Sequence, residues 1–157
     1  MTTWLASVIA VAGTLLGSIS TYVFQRAGAA RAERFTRDQR LREERIAAYS
    51  AYAAAITDLR RGVITLWFTR RRHADGADPE VWSARAEADR LGAAAAHARF
   101  RVRLLAGDDA LVALAIAAAE PIGDIAAAAD RTELTGHEER SEQALGAFIT
   151  AAGDQIR

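Results

Sequence analysis

The stretch IAAYSAYAAAITDLRRGVITL, residues 46–66, decides the fold class. Tyr49, Tyr52, Ile56, Leu59, Val63 and Leu66 recur at intervals of three and four, which gathers them on one stripe of an α-helix. Ala48, Ala51, Ala53, Ala54 and Ala55 flank the stripe, and their small side chains permit close packing. Such a stripe is the seam of a coiled coil or helical bundle. Whether it packs within the chain or between chains is left open by the pattern alone.

Toward the C-terminus this helix runs out in Leu66-Trp67-Phe68-Thr69-Arg70-Arg71-Arg72-His73, and Ala74 to Pro79 reads as a turn because it holds Asp-Gly and Asp-Pro pairs. Asp78 is placed to cap the next helix, with Pro79 at its first position and Glu80 in its first turn. A second helix is expected over Glu80 to Ala106, with Val81, Trp82, Leu91, Ala95, Ala98, Val102 and Leu105 inward and Gly107 just past its end. Asp108 or Asp109 caps a third helix, Ala110 to Asp130, whose inward stripe is Leu111, Ala115, Ala118, Ile122, Ile125 and Ala129, with a kink at Pro121 and Gly123. Thr132 to Gly136 reads as a short turn and His137 to Ile156 as the last helix, with Leu145, Phe148, Ala152 and Ile156 inward. No segment alternates with period two. The expected fold is therefore all-α, a long helix packed with about three further helices as a bundle.

Toward the N-terminus, Gln25 to Arg72 has no proline and only Gly28 and Gly62 as weak breakers, so the helix should continue upstream with a hinge near Gly28. Arg31 to Arg45 is charged nearly all round, Phe35 and Leu41 excepted, as in a solvated helix held by local ion pairs. Ahead of it, Trp4 to Phe24 carries no charge. A helix of that length rises ~32 Å, about the thickness of a bilayer's hydrocarbon core. Trp4 stands at one end and Tyr22 with Phe24 at the other, where rings favour the interface. The run reads as a transmembrane helix. A cleaved signal peptide would carry a basic leader and a shorter apolar core, although Ala27-Gly28-Ala29-Ala30 resembles a cleavage site and keeps that reading open. Arg26, Arg31, Arg34, Arg37, Arg40, Arg42 and Arg45 follow the span and no basic side chain precedes it. Arginine-rich flanks stay inside, so the expected topology is a single-pass protein of the cell inner membrane, N-terminus outside and C-terminal domain cytoplasmic. The domain reading is thus 4–24 span, 25–45 basic juxtamembrane helix and 46–157 cytoplasmic alanine-rich bundle.

Charge divides the 157 residues in the same sense. From Arg26 to His73 twelve arginines face five acids, a net +7; from Ala74 onward eight arginines face fifteen acids, a net −7. The split points to an anionic surface for the basic half, or to pairing between the halves. Lysine and cysteine are both absent, so thiolate chemistry, disulfides and a nucleotide-binding lysine are excluded.

Several constellations are candidate sites. Gly13, Gly17 and Thr21 lie four apart on the span, with Ala6 and Ala10 before them, and small residues at that spacing favour self-association of transmembrane helices. Arg26, Arg31, Arg34, Arg37 and Arg40 are placed to contact anionic lipid, at ~1 kcal/mol per arginine near the surface. Arg60, Arg61, Arg70, Arg71 and Arg72, with Trp67, Phe68 and His73 nearby, are candidates for nucleic-acid contact; the alternative places the rings in the core and the arginines in solvent. His137-Glu138-Glu139 lacks the second histidine of a zinc-protease helix, and His97 sits alone among alanines. Asp108-Asp109 and Glu138-Glu139 stand where helix starts attract negative charge. These patterns imply neither an enzyme nor a cofactor.

Ile9 to Gly17, Phe24-Gln25-Arg26, Arg42 to Tyr49 and Asp58-Leu59-Arg60-Arg61 together resemble the KilB-type proteins of actinomycete plasmids and chromosomes. The similarity is carried by the first 72 residues, and the remainder shares a general helical, alanine-rich pattern. The resemblance implies a part in conjugative plasmid transfer and the spread of plasmid DNA between hyphal compartments, with no catalytic residues to carry over. The expected partners are membrane lipid, further copies of the chain and a protein partner for the acidic distal half, with direct nucleic-acid contact the weaker expectation. Two other readings stand beside it: a membrane-anchored scaffold that recruits a protein partner, and a membrane-active toxin whose spans assemble into a lesion.

Overall fold

The computed structural model describes the backbone of residues 2–73 and 78–157, and the side chains of Glu33, 35–73 and 78–157. Among the described residues four helices follow in order: α1 Thr2–Arg72, α2 Pro79–Leu105, α3 Asp109–Ala127 and α4 Arg131–Ile156. The fold is all-α, as the periodicity requires. The chain divides into two compact units, Met1–Leu41 and Arg42–Arg157. The side chains of the apolar run Trp4 to Phe24, of its Gly13, Gly17 and Thr21 face and of Arg26, Arg31 and Arg34 lie outside the described residues, as do Ala74 to Ala77 of the turn expected over Ala74 to Pro79.

In the first unit, Arg37 pairs with Glu33 one turn before it, and residues 35–41 are exposed all round. Phe35 is among them. This is the solvated, ion-paired surface that the charge pattern predicts.

The second unit is built around the tyrosine stripe of α1. Tyr49, Tyr52, Ile56, Val63 and Leu66 are buried and Leu59 is half-buried. Phe148 of α4 meets Tyr49 and Tyr52 edge-on, with centroids 6.1 and 5.0 Å apart. The Tyr52 hydroxyl donates to the Ala115 carbonyl, and Trp67 Nε1 donates to the Ala128 carbonyl at 2.8 Å. These contacts set α3 parallel to α1. α4 runs the other way, since Tyr49 reaches Gln155 and Phe68 meets Arg131. α2 also opposes α1: Tyr49 reaches the Leu105 carbonyl, and Gly62 leaves room for Leu91, whose Cδ1 would stand 2.6 Å from a Cβ at that position. The stripe is therefore closed inside one chain.

Three aspartates start the last three helices. Asp78 accepts from Glu80 N, Asp108 from Leu111 N, and Asp130 from Thr132 N and Glu133 N, all from extended backbone. Each such cap is worth about 1 kcal/mol.

The structure corrects several expectations. α3 ends at Ala127, and Ala129 is exposed beyond it rather than inward. α4 begins at Arg131, so Thr132 to Gly136 forms its first turns instead of a loop. The cause is Asp130 as cap together with the Glu133 carboxylate, which accepts from Ala129 N at 2.6 Å and ties the junction. Pro121 lies inside α3 and does not end it, in keeping with the expectation that the helix would not stop there. Trp82 is exposed, not inward, because the inner stripe of α2 is phased on Val81, Ala88, Ala95 and Val102, seven apart. α2 ends at Leu105 with Ala106 as its cap in extended backbone, and among the described residues no glycine takes a positive φ, so Gly107 does not serve as a left-handed cap.

Candidate functional site

At one end of the bundle, α1 gathers the C-terminal ends of α2 and α4. Arg45 Nε donates to the Leu105 carbonyl at 2.9 Å, and the Tyr49 hydroxyl lies 3.3 Å from the same oxygen and 3.0 Å from Gln155 Oε1. That oxygen in turn accepts from Gly107 N at 3.2 Å. The last carbonyls of a helix have no partner within it, and here guanidinium and phenol supply them. Burial raises the Tyr49 pKa, and the Arg45 guanidinium opposes the rise. Burial likewise pushes Tyr52 up to about 12, against the Arg99 charge. Both phenols are thus held as neutral hydrogen-bonding groups. Arg45 was legible only as a juxtamembrane arginine. Nothing local in the sequence signals its bond to a residue sixty positions away.

At the opposite end the arginines do not form one patch. Arg71 stacks over Trp67, 4.4 Å from the ring centroid, and Arg131 lies 5.8 Å from the Phe68 centroid. Trp67 is buried and Phe68 partly exposed, the two rings meeting edge-on at 5.0 Å. Arg60 is half-buried, and its Nη1 is enclosed without a hydrogen-bond partner. Arg70 turns into a groove of about 450 Å³ between α1, α2 and α3, floored by Leu59, Val63, Leu66 and Ile122. Arg61, Arg71 and Arg72 face solvent. Of the five candidate nucleic-acid contacts, then, three present exposed residues, of which Arg71 lies over an aromatic ring, as Arg131 from α4 does.

The histidines tie helices together. His73 Nδ1 lies 2.8 Å from Asp78 and Nε2 3.1 Å from Glu80, which joins the end of α1 to the start of α2. His137 lies 3.6 Å from Asp124 across α3 and α4 and 2.6 Å from Arg140. His97 is exposed. Among the described residues, no three His, Cys, Asp or Glu are grouped to hold a metal ion. Within the second unit, no arginine of residues 42–72 pairs with a carboxylate of residues 78–157 among the described residues. The opposite net charges of the two halves are therefore not spent on one another there.

α3 is long and apolar enough to cross a membrane by length and composition, with a mean hydropathy of 1.7. Its inner stripe, Leu111, Ala115, Ala118, Ile122 and Ile125, is nevertheless buried in the bundle.

Comparison with known proteins places this architecture. The family model described as KilB plasmid transfer protein matches residues 46–156, nearly the whole four-helix unit. The match extends far beyond the first 72 residues to which the sequence motifs pointed. Protein KilB of Streptomyces lividans is 36% identical over 147 residues, covering 93% of this chain and 94% of the relative. No solved structure matches the chain. The tyrosine seam, the three helices that close over it and this shared length lead to one conclusion: the chain belongs to the KilB plasmid transfer protein family.

Proposed function

We propose that the chain is a single-pass membrane protein whose cytoplasmic helical unit works by assembly during plasmid transfer and spread. The observation that carries this reading is the uncharged run Trp4 to Phe24 followed at once by Arg26, Arg31, Arg34, Arg37 and Arg40. The run supplies a span, and the arginines hold the neck against anionic lipid. The exposed Phe35 and Leu41 among those arginines give the neck apolar side chains for the lipid boundary. Gly13, Gly17 and Thr21 provide the face on which spans pack together. The unit beyond the neck closes its own core, so its outer faces remain for partners.

Cell fractionation tests the anchor. The full chain should stay with membranes through an alkaline carbonate wash, and deletion of residues 2–24 should release it. A full chain found in the soluble fraction would contradict the reading.

A second reading draws on the distal arginines. Arg71 on Trp67 and Arg131 on Phe68 present guanidinium planes beside aromatic rings, a surface suited to nucleic-acid phosphates and bases. It would place transferring DNA at the tip of the bundle. A protein partner for the acidic distal half is the other use of this end, and salt-sensitive DNA retention by the purified protein separates the two.

A further inference from the structure

Helix α2 carries two apolar stripes. The inner one, Val81, Ala88, Ala95, Ala98 and Val102, is buried against the bundle. On the opposite side Trp82, Phe100 and Leu104 are 64%, 59% and 83% exposed, with Ala86 and Ala93 exposed between them. The intervals along this outer stripe are four, seven, seven and four, a pattern that reads the same in both directions about Ala93. The spacing is that of a helix–helix seam. It extends about 33 Å at 1.5 Å per residue.

Charge along the helix is not symmetric. Glu80, Glu87 and Asp89 lie in the N-terminal half beside Arg85 and Arg90. The C-terminal half carries Arg99, Arg101 and Arg103 and no acid. Among the described residues none of those three arginines pairs with a carboxylate.

We propose that the outer face of α2 binds the same face of a second copy, antiparallel about a two-fold axis through Ala93. In that register Phe100 of each copy seats over Ala86 of the other, Trp82 lies beside Leu104, and the N-terminal half of one helix, where three acids against two arginines leave a net −1, faces the half of its mate that carries Arg99, Arg101 and Arg103. A parallel pair would stack Trp82 on Trp82 and Phe100 on Phe100. It would also set Ala86 against Ala86 across a gap, Asp89 against Asp89 and three arginines against three. Both packing and charge therefore select the antiparallel arrangement. The isologous contact buries one patch twice and closes on itself. Within the unit α1 runs against α2, so the pair sends the two Arg42 ends in opposite directions. This contact is thus distinct from any side-by-side packing of spans. It needs neither span nor neck, and so goes beyond the membrane-anchored reading and stands or falls separately from it.

The absence of cysteine makes the test direct. A disulfide forms only when two Cβ atoms approach to about 3.5–4.5 Å. In the oxidised full-length protein in detergent, Ala93→Cys should convert to a disulfide-linked dimer. Ala86→Cys should remain monomeric, because Phe100 stands opposite it. The double variant Ala86→Cys with Phe100→Cys should cross-link again. Adding Trp82→Ala and Leu104→Ala to Ala93→Cys should remove the dimer band. Ala113→Cys, exposed on α3, serves as the control. Cross-linking at Ala93 no greater than at Ala113 would overturn the proposal. So would equal cross-linking of Ala86→Cys alone, which is the signature of a parallel pair.

Discussion

The stripe of α1 from Tyr49 to Leu66 and the outer stripe of α2 from Trp82 to Leu104 share three- and four-residue spacing, yet one is closed and the other open. The α1 stripe has large residues at successive positions; Phe148 of α4 packs on it, and Trp67 of α1 bonds to Ala128 at the end of α3. The α2 stripe sets large residues only at its ends, with alanines between them. Spacing reveals that a face exists. Residue size along the face tells what kind of neighbour it takes: a heterogeneous set of helices for the tyrosines, a copy of itself for the palindromic alanine pattern.

The largest expected effect separates the two stripes by stability. Phe148→Ala removes the ring shared by Tyr49 and Tyr52 and should destabilise the unit by about 3–5 kcal/mol in urea denaturation. Phe100→Ala, on the open face, should change the stability of the monomer by less than about 0.5 kcal/mol. Comparable losses would mean that the outer stripe is also part of a core.

A smaller effect comes from the phenol at the centre of the closed stripe. Tyr52 is raised to about 12 by burial, whereas an unfolded tyrosine titrates near pH 10. The folded state therefore keeps a proton that the unfolded state loses. This contribution is fully present below pH 10 and is lost as pH rises through about 12. Its size is about 2–3 kcal/mol. Tyr52→Phe should cost about 1 kcal/mol at neutral pH through its lost hydrogen bond. It should also flatten the fall in stability between pH 10 and 12. An unchanged alkaline limb would mean that Tyr52 is not the group responsible.

Much of this architecture was legible because helices write themselves in local spacing. The α1 seam, the Asp78 and Asp108 caps and the helical character of the described residues all follow from residues a few positions apart. The start of α4 was legible too, in Asp130 and Glu133, but Thr132 to Gly136 has the composition of a turn and masked it. Trp82 misled through size: its indole suggests a core position, whereas the strict seven-residue phase of Val81, Ala88, Ala95 and Val102 puts it on the far side. The junction of Arg45 with Leu105 and of Tyr49 with Gln155 had no local signal, since it joins residues brought together only by the fold. The same holds for the division of the distal arginines, where Arg70 enters the groove and Arg61 and Arg72 do not.

The central claim is that one chain closes the tyrosine stripe while the outer face of α2 joins copies. Residues 42–157 should be followed through a dilution series by light scattering and far-ultraviolet circular dichroism together. The account predicts that mass falls from dimer to monomer while helicity stays constant, because the core survives separation. Helicity that collapses together with the mass would contradict it, and would place the Tyr49 to Leu66 seam between chains.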